Sequence, residues 1–350
     1  MGAGEPFTVR CAVPDGEVAW DDAVHGTISF QGRDLDDFIV LRTDGSAIYN
    51  LAVVSDDVAM AITHVIRGDD HISNTPKQIL IYRALGAPLP VFAHVPMILG
   101  SDGKKLSKRH GATAVGDYQH EGIIPAAMRN FLALMGWSPG DDLEILPEEE
   151  MIRRFTLEAI QRKPAVFDTT KLEWMNGQYL SALPAAELEA PVRRELERLG
   201  VSPDQVSVHL SRLELGLDAG NLAPMIDAVK ERSRTIGQLA EQIAIRIDAS
   251  RIVPDPKAEA LRQKLGDRFA SNLALAVAEL SAVAQAQWKG DHLIEVLKAA
   301  AERDGIKLGD LMQPVRVALT GTTVSEPVND LLVVVGRQKS LDRLTRAAGR

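Results

Sequence analysis

Cysteine is all but missing from this chain: Cys11 is the single example in 350 residues. One thiol closes no internal disulfide and builds no Cys-rich zinc site, and such sparing use fits a reducing cytoplasm. Nothing approaches eighteen consecutive apolar residues, so no membrane partner or spanning helix is expected. Residues 1–10 lack a basic start followed by an apolar core, so they do not read as a secretory leader. The acid pairs Asp56-Asp57 and Asp69-Asp70 lack the regular oxygen-ligand spacing of a calcium loop. No metal site of the protein's own is expected from them.

Positive charge is also in short supply, with a formal net charge of −9. Binding to nucleic acid rests largely on Lys and Arg neutralising phosphates, so the total argues weakly against it. Local distribution matters more. Lys104, Lys105, Lys108 and Arg109 crowd one loop, and Arg337, Lys339, Arg343, Arg346 and Arg350 face a single acid, Asp342, at the end. The balance leaves a nucleic-acid partner open.

What is present is an ordinary globular composition, 45% hydrophobic and 25% charged. The length suits two or three domains. The first fifty residues read as strands and turns, with Phe7–Val13, Ile28–Gln31 and Phe38–Arg42 extended. A boundary falls near residue 46. Ile62–Arg67 then reads as a strand with the polar tip Gly68-Asp69-Asp70-His71. A helix follows, capped by Asn74 or Thr75, with Pro76 in its first turn and Gly86 beyond its end. Val91–Leu99 is a second strand, interrupted by Pro96, and it feeds a Gly- and Lys-rich loop. Strand, helix, strand predicts a parallel α/β unit, whose ligands sit beyond the carboxyl ends of the strands. Both polar tips fall there.

From about residue 121 the pattern is helical, beginning with Met128, Phe131, Leu132 and Met135 on one face and Gly136 closing it. Asp168 is placed to cap the helix through Lys171, Leu172 and Met175. After Pro184, helices are expected at roughly 185–199, 222–244, 256–266, 272–287 and 292–304. No repeat of fixed period is evident. The reading is an α/β part followed by an all-helical body.

The chemistry concentrates at Lys104–Arg109. Lys105 and Lys108, three residues apart on a mobile Gly-led loop, can reach a polyphosphate and stabilise charge on a leaving pyrophosphate. A bare Lys-x-x-Lys is more often a solvated loop, since lysines are mostly exposed. Its surroundings change that weighting. The run from Pro96 to Ala112, with Lys105-Leu106-Ser107-Lys108-Arg109-His110-Gly111-Ala112 at its heart, resembles the Lys-Met-Ser-Lys-Ser region of class I aminoacyl-tRNA synthetases in its glutamyl-tRNA synthetase form. Upstream, Tyr49–Val54 and His64–His71 are similar to that family's amino-acid and ATP-facing segment. Downstream, Leu134–Ser138, Phe167-Asp168, Lys171-Leu172, Trp174, Asn176 and Tyr179 resemble its stem-contact pattern. Pro314–Gly321 resembles part of its anticodon-binding domain.

The resemblance implies a partial Rossmann-type α/β catalytic domain followed by an all-α anticodon-binding domain. It divides the chain into the tail of an acceptor-end insertion (1–45), the second half of the catalytic domain (46–112), a stem-contact region (113–183) and an anticodon-binding domain (184–350). It implies ligation of glutamate to tRNA-Glu, with ATP carrying its own Mg²⁺, in a monomeric cytoplasmic protein. Tyr49 and Arg67 would contact glutamate, Asp70 and His71 would lie near the ATP ribose and base, and Lys105 and Lys108 would hold the phosphates as the catalytic pair. Arg67 suits a carboxylate because its guanidinium can form two parallel hydrogen bonds; read alone, without the resemblance, a structural ion pair with Asp69 or Asp70 is the favoured reading. His71 alone is equally a polar residue at a helix entry.

One departure stands out. The family's second signature, His-x-Gly-His, is absent, for no two of the histidines at 25, 64, 71, 94, 110, 120, 209 and 292 are three apart. The family's occasional zinc site cannot form on Cys11 alone. The expectation is a chain lacking the N-terminal part of its catalytic domain, catalytically incomplete by itself, with a separate N-terminal half as one possible partner. Half a parallel sheet would leave an unpaired edge, and catalysis by positioning fails when one side of the clamp is gone. The alternative is a non-catalytic tRNA-binding module derived from the same enzyme.

Overall fold

The first strands are β1 (Val9–Cys11), β2 (Glu17–Asp22), β3 (Gly26–Gln31), in which Thr27, Ile28, Ser29 and Phe30 alternate polar and apolar, and β4 (Phe38–Leu41), apolar throughout. The computed structural model describes residues 7–107, 114–213 and 221–349. β1 and β4 pair antiparallel, and β2 and β3 form a hairpin from Glu17↔Gln31 to Asp22↔Gly26. Along β2 the residues Val18, Trp20 and Asp22 turn inward with the period of two that a strand requires.

Next come α1 (Tyr49–Ala59), β5 (His64–Gly68), α2 (Thr75–Ala84) and β6 (Val91–Val95). β5 and β6 pair in parallel from His64↔Val91 to Gly68↔Val95, with α2 as the crossover between them. β2 joins the other side of β6 at Asp22↔Phe92, giving the order β3-β2-β6-β5. Residues on both sides of position 46 therefore share one sheet. Val18, Trp20, Val54, Ile79, Ile81 and Phe92 pack between this sheet and the two helices. β5 is an edge of this sheet, as β3 is at the other side, and Ile66 on β5 is half exposed.

Pro96 ends β6, and the chain re-enters as β7 (Ile98–Leu99), which leaves the main sheet. Then follow α3 (Asp117–His120), α4 (Pro125–Ala133), α5 (Glu148–Arg154) and β8 (Ala165–Val166). β8 lies parallel to β7, with Leu99 opposite Val166. α4 buries Met128 and Phe131, as its apolar spacing predicts, while Leu132 is only half buried. The described residues up to 107 and Met128–Thr169 make one compact unit, and Ala114–Ala127 with the chain from Thr170 make another.

The second unit is helical. Its first half is α6 (Thr169–Ala182), α7 (Ala185–Arg198), α8 (Pro203–Leu213), α9 (Ala223–Val229) and α10 (Ile236–Ile247). Leu188, Val192, Leu196, Ile226, Leu239 and Ile243 form its core. The single helix expected at 222–244 is in fact α9 and α10. Between them Thr235 is extended, and its hydroxyl accepts from the amide of Gln238 at 3.2 Å, an N-cap that starts the second helix.

Its second half is α11 (Pro256–Leu265), α12 (Asp267–Ser281), α13 (Gly290–Arg303), α14 (Leu308–Thr320), α15 (Val328–Val335) and α16 (Arg337–Ala347). Leu273, Trp288, Leu297, Leu311, Leu331 and Leu344 make a second core. Pro314 sits inside α14 and cannot donate to the carbonyl of Asp310. The side chain of Asn272 donates to that carbonyl instead, at 2.8 Å. Gly321 closes α14 with φ +77, where a Cβ would lie 2.6 Å from the Val253 carbonyl oxygen.

Three basic residues of α16 are spent on helix ends. Arg337 donates to the carbonyls of Ser281 and Val283 at the end of α12. Lys339 donates to that of Ile247 on α10, and Arg343 to those of Leu319 on α14 and Arg246 on α10. Carbonyls at helix C-termini lack intrahelical partners and favour cations. The basic cluster in the sequence is thus, in these three residues, a device that ties helices together.

Beside them His209 is buried, its Nε2 donating to the Val334 carbonyl at 2.9 Å and its Nδ1 accepting from Lys339 at 2.7 Å. Burial, then the Lys339 charge, pushes its pKa down to about 4, and burial pushes Lys339 down to about 8. A histidine held neutral in the fold binds its proton more readily when unfolded. Stability is therefore expected to fall as pH drops from the ordinary histidine value near 6.5 towards about 4. Thermal melts across that window check this, and His209→Gln, which keeps one donor and one acceptor, should flatten the profile.

Candidate functional site

Arg67 is the next-to-last residue of β5, at the carboxyl end where parallel sheets present their ligands. It is half buried. Its Nε donates to His94 Nε2 at 3.2 Å and its Nη2 to Thr75 Oγ1 at 2.8 Å, with the guanidinium 5.8 Å from the Phe92 ring centre. The pairing with Asp69 or Asp70 that its neighbours suggested does not occur. Both partners it takes instead come from elements that only the folded sheet brings near, the start of α2 and the end of β6. Burial lowers its pKa from the usual value, with nearby Tyr49 and Asp57 opposing that shift.

His94 and Asp22 lie beneath it, both fully buried, with Nδ1 and Oδ2 at 2.5 Å. Asp22 Oδ1 accepts the backbone N–H groups of Val24, His25 and His94 at 3.0, 3.1 and 3.2 Å. Burial alone would raise its pKa, but the His94 bond and these three amides outweigh that and hold it below the ordinary carboxylate range. Burial pushes His94 downward. Neither residue, nor Thr75 as a partner of Arg67, was singled out from sequence. The one available hint was a lone histidine at the end of a strand.

The tip after β5 folds as a 3₁₀ turn, Asp69–Asn74, that runs straight into α2. Asn74 occupies the N-cap position but makes no capping bond there; its amide meets His71 Nδ1 at 3.2 Å instead. Tyr49, at the start of α1 and half exposed, places its ring centre 6.3 Å from that of His71.

The lysine loop turns back along β7. The Leu106 amide donates to the Ile98 carbonyl at 2.9 Å and the Gly100 amide to the Lys104 carbonyl at 2.8 Å. This carries Lys105 to the tip, where its Nζ meets Asp70 Oδ2 at 2.6 Å. That contact is the main reason Asp70 sits below the usual carboxylate range. Tyr49, Arg67, Asp70, His71 and Lys105 thus belong to one neighbourhood at the carboxyl end of the sheet. Lys108 and Arg109 lie outside the described residues.

Of the residues expected at a stem contact, Asn176 has an internal task. It is fully buried, accepts from the Ile124 amide at 2.9 Å, and donates to the carbonyls of Gly122 and Arg234 at 3.1 and 2.6 Å. Arg316, in the segment resembling an anticodon-binding domain, donates from Nε to the Ser325 hydroxyl at 2.9 Å. No described helix is long and apolar enough to cross a membrane.

Residues 1–174 match the catalytic domain of class I tRNA synthetases (E and Q), and residues 199–348 match an anticodon binding domain. With the parallel β5–α2–β6 unit and the helical body after it, these matches define a class I tRNA synthetase that uses ATP. Glutamate–tRNA ligase 2 of Koribacter versatilis is 41% identical over 355 residues, covering 98% of this chain and 69% of the relative. A glutamate–tRNA ligase of Coxiella burnetii is also 41% identical, over 99% of this chain and 70% of its own. The crystal structure of a glutamate tRNA ligase from Elizabethkingia meningosepticum in complex with its amino acid has a TM-score of 0.80 at 28% identity, covering 98% of this chain and 68% of that one. The chain belongs to the glutamate–tRNA ligase family.

Proposed function

We propose that this chain supplies the glutamate contacts, part of the phosphate clamp and the tRNA-binding body for charging tRNA-Glu. The glutamate carboxylate attacks the α-phosphorus of MgATP, pyrophosphate leaves, and the terminal adenosine hydroxyl of the tRNA then displaces AMP. In this reading Arg67 and Tyr49 meet glutamate, Asp70 and His71 face the ribose and base, and Lys105 and Lys108 hold the phosphates. Mg²⁺ enters on the nucleotide as part of the substrate, as metals of ATP chemistry commonly do. The observation that carries the reading is the Lys105–Asp70 contact, which joins two segments 35 residues apart that were assigned to the same nucleotide.

The same proposal assigns residues 1–45 to the tail of the acceptor-end insertion, 46–112 to the second half of the catalytic domain, 113–183 to stem contact and 184–350 to the anticodon. It places a monomer in the cytoplasm. The test is charging of tRNA-Glu with labelled glutamate, MgATP and the chain alone, beside the chain joined to a His-x-Gly-His segment from a relative. Charging by the chain alone assigns the whole reaction to the residues present. Charging only by the joined protein assigns them the share stated above, and charging by neither overturns the proposal. Binding of tRNA-Glu should weaken steeply with salt, as phosphate contacts require.

A further inference from the structure

The buried pair beneath Arg67, Asp22 and His94, has no direct role in the proposed reaction. A buried charged group costs free energy unless it is paired and hydrogen-bonded, and Asp22 is bonded at both oxygens. The arrangement dictates where the ring proton of His94 lies. Asp22 is an acceptor, so Nδ1 carries the hydrogen; the Nε–H of Arg67 is a donor, so the facing Nε2 is bare. Thr75 completes the setting: its hydroxyl accepts from Arg67 Nη2, and its one hydrogen has the bare His94 Nε2 at 3.1 Å and the His71 carbonyl at 3.3 Å as acceptors. One long edge of the guanidinium is thereby occupied. Nη1, which bonds no described residue, and the second hydrogen of Nη2 remain as the edge open to a carboxylate.

We propose that Asp22 and His94 are positioning residues for glutamate binding, fixing the guanidinium of Arg67 through the Nδ1–H tautomer of His94. The inference rests on the assignment of Arg67 to glutamate. A guanidinium on a flexible side chain gives up rotational freedom when it grips a ligand, and a pre-set one gives up less. The Asp22–His94 pair transmits no chemistry of its own. It holds Arg67 at its inner edge so that the outer edge is aimed before the ligand arrives.

Asp22→Asn is a sharp probe because it keeps the shape. Three backbone amides point at the Oδ1 position, so the asparagine oxygen belongs there and its NH₂ must face His94 Nδ1. The ring proton then moves to Nε2, where it opposes the Arg67 N–H. ¹⁵N NMR of the labelled full chain reads the His94 tautomer, and calorimetry reads glutamate and MgATP binding. We expect Nδ1–H in the wild type and Nε2–H in Asp22→Asn, faster solvent exchange of the Arg67 Nε–H, and about tenfold or more weaker glutamate binding, the scale of one lost hydrogen bond to a charged group. MgATP affinity should not change. A wild-type ring protonated at Nε2 overturns the inference without any variant, as does an inverted tautomer with undiminished glutamate binding. If the wild type binds no glutamate, the assignment of Arg67 to that ligand falls, while the ring pattern still decides whether Asp22 and His94 hold the guanidinium.

Discussion

Glu326→Ala is expected to destabilise the helical unit by about 3–5 kcal/mol, the usual cost of stranding one partner of a buried ion pair. Arg246 on α10 and Glu326 just before α15 are 1% and 2% exposed. They meet through two hydrogen bonds, Nε to Oε1 at 2.8 Å and Nη2 to Oε2 at 2.5 Å. Arg246 Nη1 is also satisfied, by the carbonyl and side chain of Gln242 at 2.6 and 3.0 Å. Removing the carboxylate leaves a guanidinium with no water to replace it. Replacing both partners by apolar residues, Arg246→Met with Glu326→Leu, removes the charge as well and should recover most of the loss. Urea denaturation of the single and double variants checks this. A single variant as stable as the wild type would mean that solvent reaches the pair.

Lys108→Ala is expected to slow glutamyl-adenylate formation by about two to three orders of magnitude, the scale for losing one group aimed at developing charge. Lys105→Ala should cost less, because the Lys105 ammonium is already partnered by Asp70 and must leave it to serve a phosphate. Pyrophosphate exchange, in whichever of the two preparations described above charges tRNA, compares the variants directly. An unchanged rate in Lys108→Ala removes that residue from the clamp.

The parallel β5–α2–β6 unit was legible because its signals are local: β-rich runs, Pro76 at the helix start, Gly86 past its end. The weakness at Pro96 was legible too, and the chain does break there between two sheets. Harder to see was α15, whose run Leu331–Val335 favours strands by intrinsic preference. It is helical because Pro327 and Gly336 bracket it and the surrounding helices bury it, and tertiary packing commonly overrides propensity of this size. α14 was hidden by Pro314, whose cost depends on a side chain 42 residues earlier. At the site, motif residues could be named in advance because each belongs to a contiguous run. Asp22 and His94 could not, since their partnership exists only once β2 and β6 lie side by side.

The short pairing of β7 with β8 also has a consequence in time. Ile98 and Leu99 form the base of the lysine loop, yet their partners Ala165 and Val166 lie far downstream. At the usual pace of about 5–20 residues per second, a ribosome takes on the order of several seconds to travel between them. During that interval the loop has its residues but not the strand that anchors it. Docking of Ala165 and Val166 therefore trails synthesis of the loop, and a nascent chain halted before them carries the proposed phosphate-binding sequence without its footing.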